Sequence, residues 1–471
     1  MEKLFKLKEH GTNVRTEILA GMTTFLAMAY ILVVNPNILQ GSGMEWGAIF
    51  TATAISAAIG CFMMGFGANY PIALASGLGL NAYFVTVCGQ IGGEDPWKIA
   101  LTAILVEGII FIILSFFKFR ETLVNKIPKN LKFGISAGIG MFIAIIGLKG
   151  AGVVVGTLDK SAFSDLTAPL EKLPGSLPLS NLALGDLTAP PVVLCLVGLL
   201  LIGIMAHKKI PGAILWGIVA TWILGMIAEK IGWYQVNPEN GAFSLFPDFS
   251  KGLNIAAPNM FKFNFSWVVN NITQFIVIVF AFLFVDLFDT VGTVIGVAEK
   301  GNLLDKDGSL PKAGAALMAD AVATVAGACM GTSTVTSYVE SSAGVAQGGR
   351  TGLTAISAGC MFLIALIFSP IFTAIPTFAT APALIYVGLL MVSAVKNMTF
   401  EGDTADAMSG YIAIIMMAFT CSIANGIMFG ILFWVLLKVF TGKIKEIHPI
   451  MWIAFALFAL RIATIVLGIA N

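Results

Sequence analysis

Two aspartates three residues apart are the first side chains in this sequence that could do chemistry. Asp286 and Asp289 lie in the apolar stretch 284–293, and a spacing of three places both on one face of a helix. A charge at mid-bilayer costs about 2.5–3.5 kcal/mol on insertion scales, so such groups normally face a protein interior or a wet cavity. Two close carboxylates resist ionising together, which suits a site that takes up and releases a proton. A structural acid bonded to Thr290 would show the same spacing.

A second candidate segment, residues 331–344, is too polar for a lipid-facing helix and contains one acid, Glu340. Its early glycine, threonine and serine residues favour an extended or broken start. A carboxylate accepts hydrogen bonds and can hold the N–H edge of a planar base. We therefore predict that Glu340, Thr332 and Ser333 contact a substrate. The alternative is a packing helix whose acid pairs with a basic residue, but the neighbouring apolar segments contain no lysine or arginine.

The stretch 73–84 adds an amide and aromatic rings. Asn81 can donate and accept hydrogen bonds at once, as a purine edge requires, and Phe84 or Tyr83 could supply a stacking face. An anchor between helices is the competing interpretation of Asn81. Two other acids in apolar stretches, Glu107 and Asp320, are interpreted as bracing or tuning residues rather than as contacts.

The elements that must position these residues are membrane helices. Of 471 residues, 58% are hydrophobic and 11% are charged, whereas soluble domains carry roughly a quarter charged residues. Apolar runs of about 20 residues, the length that crosses a bilayer, recur from end to end. We predict segments at 18–35, 45–67, 71–91, 97–117, 131–148, 189–206, 211–231, 267–297, 312–328, 330–346, 352–373, 380–396, 409–423 and 424–440. A further apolar stretch at 449–468 either spans or lies in the interface.

Loop charge predicts the orientation. With the N-terminus in the cytoplasm, nearly all basic clusters fall on the cytoplasmic side, as the positive-inside rule requires. The long polar loops 157–187 and 232–266 then face outward. The protein is expected to be a multi-pass protein of the cell membrane, the inner membrane in a cell that has two. No apolar run precedes Ile18, so a cleaved signal peptide is not predicted.

Several function classes are not supported. The net charge is +1 and no basic tract interleaves with aromatic residues, so nucleic-acid binding is not expected. The histidines flank the apolar segments, which disfavours a histidine proton relay. No cofactor or metal is expected, because the cysteines lack ligand spacing and are interpreted as small core residues. These are Cys61, Cys88, Cys195, Cys329, Cys360 and Cys421.

Two halves of the chain share a spacing. Tyr83 and Gly89 in the third segment match Tyr338 and Gly344 in the tenth. Seven segments per half is an odd number, so the second half would enter the membrane upside down. Inverted repeats with interrupted segments are the usual architecture of secondary transporters, which bind their solute where the halves meet. Small-residue packing between helices could produce the same match.

Four motifs in order resemble the AzgA-like purine permeases of the nucleobase-ascorbate transporter family, and the resemblance runs from about residue 11 to beyond 440. The motifs lie at 11–17 running on to Asn35-Pro36, at 77–84, at 286–293 and at 331–352. The resemblance implies an all-α membrane fold of two inverted seven-segment repeats with short strands in segments 3 and 10. It implies core domains at 1–117 and 233–373 and gate domains at 118–232 and 374–471, the last including the C-terminal stretch.

The resemblance also implies the activity: elevator-type uptake of adenine, guanine or hypoxanthine by proton symport. In such permeases an asparagine, an acid of the eighth segment and a glutamate of the tenth hold the base. The matching residues here are Asn81, Asp286 or Asp289, and Glu340, and the two aspartates with Glu340 are the candidates for proton coupling. Spacing does not decide which aspartate contacts the base. Whether two copies form a homodimer is also left open.

Two rival functions remain at this stage. The same fold could carry uracil, xanthine, ascorbate or an inorganic anion, although an anion site should contain a basic residue that the third and tenth segments lack. An intramembrane aspartic protease would need two acids facing each other across two helices. Asp286 and Asp289 share one helix, so we expect a transporter and not an enzyme.

Overall fold

The computed structural model describes residues 2–116, 128–158, 179–210, 212–236, 245–247, 256–301, 303, 310–311, 313–420 and 422–466. Parts of the sequence predictions lie outside these residues. They include the domain boundary at 117–118, much of the polar loops 157–187 and 232–266, Cys421, and the last two residues of the stretch 449–468.

Helices dominate the described chain, because a helix satisfies its backbone N–H and C=O groups internally in a medium without water. The helices of the first half are α1 Glu2–Phe5, α2 Val14–Met28, α3 Ile31–Leu39, α4 Trp46–Met63, α5 Leu78–Ile91, α6 Pro96–Phe116, α7 Lys129–Gly150, α8 Pro190–His207 and α9 Ala213–Lys230. Those of the second half are α10 Phe265–Asn270, α11 Ile272–Lys300, α12 Ala313–Met330, α13 Ser341–Ala346, α14 Gly352–Ala365, α15 Ser369–Thr373, α16 Thr377–Val392, α17 Thr404–Thr420, α18 Ile423–Phe440 and α19 Pro449–Val466.

Nine helical stretches in the described ranges are long and apolar enough to cross a membrane, and four shorter apolar helices accompany them. The chain is therefore a multi-pass, mostly helical membrane protein. Several helices begin earlier than hydrophobicity predicts, because a polar cap starts the helix ahead of the apolar run. The Asn13 Oδ1 atom accepts a hydrogen bond from the Thr16 backbone N–H at 3.0 Å, and α2 begins at Val14 rather than at 18. Asp403 likewise caps α17, whose predicted start was 409.

Four short strands complete the described secondary structure. β1 (Leu74–Ser76) pairs antiparallel with β4 (Val335–Ser337), in the third and tenth segments. β2 (Val154–Leu158) pairs antiparallel with β3 (Leu179–Leu184) in the loop that follows α7.

The helices form two contact groups. In the first helix group, α2 to α6 pack with α11 to α14, and in the second helix group α7, α8 and α9 pack with α16, α17 and α18. Gly79 of α5 lies where the groups meet: a Cβ atom there would lie 2.8 Å from Ile139 Cγ2. The C-terminal helix α19 contacts both α18 and α11, and its Phe458 ring packs edge-on against Phe280 at 5.3 Å.

The prediction that the cysteines are core residues is wrong for Cys360, which is exposed. Cys61, Cys88 and Cys195 are buried and Cys329 is half-buried. Apolar surroundings in the sequence do not separate the two cases, because a membrane helix has a lipid-facing side as apolar as its packed side.

Candidate functional site

The pair of strands β1 and β4 is the framework of the candidate site. Hydrogen bonds continue beyond its ends, since the Gly77 N–H donates to the Thr334 carbonyl and the Tyr338 N–H to the Ala73 carbonyl, both at 3.0 Å. A Cβ atom on Gly77 would lie 2.5 Å from Thr336 Cγ2, so only glycine permits this close approach. Segments 3 and 10 are thereby joined through their backbones.

Acids from three helices hold the polar residues of β4. The Thr334 hydroxyl donates to Glu107 Oε2 of α6 at 3.2 Å, and the Thr336 hydroxyl donates to Asp289 Oδ2 of α11 at 3.3 Å. Asp320 of α12 accepts from both the backbone N–H and the hydroxyl of Ser337, at 3.0 and 3.2 Å. Glu107 and Asp320 therefore brace the strand, as the sequence interpretation of these two acids expects.

Thr290 connects Asp320 to Asp286. Its Oγ1 atom lies 2.8 Å from Asp320 Oδ2 and 3.2 Å from Asp286 Oδ1, and all three residues are fully buried. A hydroxyl has one hydrogen to donate. The hydroxyl donates to Asp320 at the shorter distance and reaches Asp286 at the longer one, so the two carboxyl groups share one hydroxyl.

The two aspartates of α11 thus have different surroundings. Asp286 is fully buried, whereas Asp289 is half-buried and bonds to β4 through Thr336. Glu340 keeps 9% of its surface accessible, and its Oε1 atom accepts a hydrogen bond from the Tyr30 hydroxyl at 2.6 Å. Asp289 and Glu340 are therefore less completely buried than Asp286.

Asn81 offers a hydrogen-bond donor beside the residues that precede β4. Its Oδ1 atom accepts from the Ser333 hydroxyl, which joins α5 to the residues just before β4. Its Nδ2 atom is buried without a hydrogen-bond partner among the described residues. A buried donor left unpaired costs about 1–3 kcal/mol. An amide in this state is ready to donate to an acceptor on a bound molecule.

Residues 15–429 of the 471-residue chain match the Permease family. This chain belongs to the Permease family. The predicted resemblance to purine permeases of the nucleobase-ascorbate transporter family is confirmed by this match together with its relatives. Since those relatives are permeases, the protein is a transporter and not an enzyme.

Two curated relatives cover almost the whole permease. The adenine permease AdeP of Escherichia coli strain K12 is 38% identical over 466 residues, which is 99% of this chain and 96% of the relative. The guanine/hypoxanthine permease PbuO of Bacillus subtilis strain 168 is 41% identical over 463 residues, which is 98% of this chain and 99% of the relative.

A solved structure shows the same fold at low identity. The transmembrane domain of a cyanobacterial bicarbonate transporter, BicA, superposes with a TM-score of 0.64 and 15% sequence identity. The match covers 87% of this permease and 96% of that chain. The match shows the fold of this permease. Which cargo it carries depends on the residues of the site.

The remaining predicted site residues of the permease lie deep in the protein. Thr332 Oγ1 accepts from Asn35 Nδ2 at 3.0 Å and lies 3.0 Å from the Ser76 hydroxyl, so Thr332 belongs to a buried polar network. Phe84 is fully buried in the main hydrophobic cluster, and the neighbouring Tyr83 ring packs edge-on against Phe282 at 4.7 Å. A stacking role for Phe84 stays a prediction.

Two residues of the permease site were missed by sequence reasoning: Tyr30 and Asn35. Both lie in the first segment, which is continuous in hydrophobicity but changes from α2 to α3 at residues 29–30. The available signal was the pair Asn35-Pro36 in an apolar run, since an amide at membrane depth needs a partner. Asn35 finds that partner in Thr53 as well as in Thr332.

Proposed function

We propose that this permease imports a purine base, namely adenine, guanine or hypoxanthine, together with a proton. The observation that carries the proposal is that Asn81, Asp289 and Glu340 lie around one strand pair, with an unpartnered amide donor and two acids that are less completely buried than Asp286. Relatives that are named adenine and guanine/hypoxanthine permeases, and that match over 98–99% of this chain, support the cargo class.

The cluster complements the edge of a purine. A purine presents ring N–H donors beside nitrogen or oxygen acceptors in one plane, and a site that binds it needs both kinds of partner. Glu340 accepts, while Asn81 Nδ2 donates. Ser333, whose hydroxyl holds the Asn81 oxygen, fixes the direction in which the amide donates. Asp289, rather than the fully buried Asp286, is the acid of α11 that we assign to the base.

Proton coupling is assigned to the aspartates. Asp289, which we assign to the base, would gain or lose a proton as the base binds, and Asp286 shares a hydroxyl with Asp320 through Thr290. Coupling requires only that the proton and the base both favour the same loaded state. No step depends on a cofactor.

The transport step is proposed to be an elevator movement. The first helix group corresponds to the core domain, residues 1–117 and 233–373, and the second to the gate domain, residues 118–232 and 374–471. The strands that carry the site belong to the first group, so the bound base would move with it across the membrane. We propose two inverted repeats of seven segments and a cytoplasmic N-terminus for this arrangement.

Uptake of radiolabelled adenine, guanine and hypoxanthine by a transport-deficient host tests the proposal. Glu340→Gln and Asp289→Asn should abolish uptake at wild-type protein levels, and a protonophore should abolish uptake by the wild-type protein. Asp186→Asn, in an exposed loop that follows β3, is the matched control and should transport normally. Wild-type uptake by both site variants would remove these acids from the mechanism, and uptake that ignores the protonophore would remove the proton.

The fold similarity to a bicarbonate transporter favours one competing cargo class, an inorganic anion. Uracil, xanthine and ascorbate are the other candidates for this fold. The hydroxyls of Thr334, Thr336 and Ser337 donate to the carboxylates of Glu107, Asp289 and Asp320, and these acids repel an anion rather than attract it. Competition by unlabelled bases separates the cases, because an anion carrier should be insensitive to purines.

A further inference from the structure

Tyr30 makes a buried hydrogen bond to the proposed substrate carboxylate. Its ring is fully buried, and its hydroxyl donates to Glu340 Oε1 at 2.6 Å across 310 residues of sequence. Tyr30 lies between α2 and α3, where the backbone N–H of Val33 and that of Val34 both reach its carbonyl, at 3.1 and 2.9 Å. The tyrosine therefore lies at the junction between α2 and α3, where the regular helical hydrogen bonding of the first segment changes.

The bond distinguishes the two oxygens of Glu340. A tyrosine hydroxyl has one hydrogen, and here it is directed at Oε1. A short hydrogen bond to one oxygen restricts rotation of the carboxylate and so limits the directions in which its other oxygen can point. Oε2 is then the atom that can meet an N–H group of a bound base.

Joining the two segments does not require this bond. Gly344 of α13 already packs against α2, where a Cβ atom on it would lie 2.1 Å from Thr24 Oγ1 and 2.5 Å from the Ala20 carbonyl oxygen. Backbone contact of this kind holds segments 1 and 10 together without any tyrosine hydroxyl. The bond from Tyr30 is therefore available to orient the acid that it contacts.

We propose that Tyr30 is a positioning residue for the cargo: its hydroxyl occupies Glu340 Oε1 and thereby aims Oε2 at the N–H edge of the base. The inference rests on the proposed purine function. It predicts that loss of the hydroxyl weakens binding of the base while leaving the transport cycle intact, because the acid itself remains.

Equilibrium binding of radiolabelled adenine, guanine and hypoxanthine to the purified full-length protein tests this inference, alongside uptake rates at saturating base. Tyr30→Phe keeps the buried ring. It should raise the Kd about tenfold, the lower end for loss of a hydrogen bond to a charged group, and change the maximal uptake rate less than about twofold. Tyr70→Phe removes the hydroxyl of another buried tyrosine, outside the cluster, and should leave the Kd unchanged.

A double-mutant cycle separates positioning from a general structural effect. Glu340→Asp keeps the acid but shortens it, so the bond to Tyr30 is already lost and Tyr30→Phe should add little to the Kd of this variant. The inference is wrong if Tyr30→Phe raises the Kd by the same factor in the wild-type and Glu340→Asp backgrounds, or if Tyr30→Phe leaves the Kd unchanged. In either case purine binding by the wild type would still support the proposed function. Absence of purine binding by the wild type overturns the proposed function itself, and with it the inference.

Discussion

Glu17→Gln should destabilise the protein through a single helix terminus. Glu17 is fully buried on α2, and its carboxylate faces the start of α14. Oε1 accepts from the Arg350 N–H at 2.9 Å, and Oε2 accepts from the Thr351 N–H, the Thr354 N–H and the Thr354 hydroxyl at 3.3, 3.2 and 2.6 Å. One residue therefore caps a helix more than three hundred positions away.

The magnitude follows from these contacts. Glutamine has one acceptor oxygen where glutamate has two. If that oxygen takes the place of Oε2, the amide NH2 group faces the Arg350 N–H, and the unpaired donor costs about 1–3 kcal/mol. Removing a negative charge from a helix N-terminus costs a further ~0.3–1 kcal/mol. We therefore expect the free energy of unfolding to fall by about 1–4 kcal/mol.

Unfolding in mixed detergent micelles, followed by tryptophan fluorescence, measures this free energy. Glu45→Gln is the matched control, because Glu45 precedes α4 as an exposed cap residue whose side chain makes no capping hydrogen bond. The control should lie within about 0.5 kcal/mol of the wild type. If Glu17→Gln is as stable as Glu45→Gln, the carboxylate does not stabilise α14 as its four contacts indicate.

Two further predictions concern packing and charge. Gly79→Ala should lower the maximal uptake rate, because its methyl group would lie 2.8 Å from Ile139 across the contact between the helix groups. Gly89→Ala is the control and should leave the rate unchanged, because the space around its Cβ is open. Equal maximal rates for the two variants would contradict the prediction. The Lys438 ammonium, 2.6 Å away, holds the pKa of the Asp403 carboxyl well below its usual range. Because the pKa of Asp403 is lower in the folded protein than its value of about 3.9 in the unfolded chain, the ion pair stabilises the fold fully at any pH well above that unfolded value. This stability is lost only as the pH falls towards the pKa of the folded protein. The difference in melting temperature between the wild type and Asp403→Asn should therefore be the same at about pH 7 and at about pH 5.5, and should disappear in strong acid. A difference that has already disappeared at about pH 5.5 would refute the role of the ion pair.

Hydrophobic runs predict most of the helices, because a lipid-embedded segment has to be both apolar and about 20 residues long. The ends are less predictable. The first helix starts at Val14 since Asn13 caps it, and such capping depends on one polar side chain that a hydropathy window averages away. The change from α2 to α3 leaves no mark in composition at all.

Acids in apolar runs are predictable as candidate site residues, because their cost in lipid makes each of them exceptional. Their partners are not. The spacing of Asp286 and Asp289 predicts a shared face, yet one bonds to Thr290 and the other to β4. Tyr30 gives no comparable signal, because a tyrosine in an apolar segment is ordinary until the fold brings Glu340 to within 2.6 Å of its hydroxyl.

The strand pair also has a consequence for how the protein is made. Ser76 of β1 accepts a hydrogen bond from Tyr338, 262 residues later in the chain. At a synthesis rate of about 5–20 residues per second, β1 leaves the ribosome roughly 13–50 s before its partner strand exists. During that interval the backbone groups of residues 74–76 lack the bonds that they have in the finished protein, and lipid cannot supply them. The third segment therefore completes its folding only when the tenth has been inserted, so the candidate site cannot assemble before most of the chain has been made.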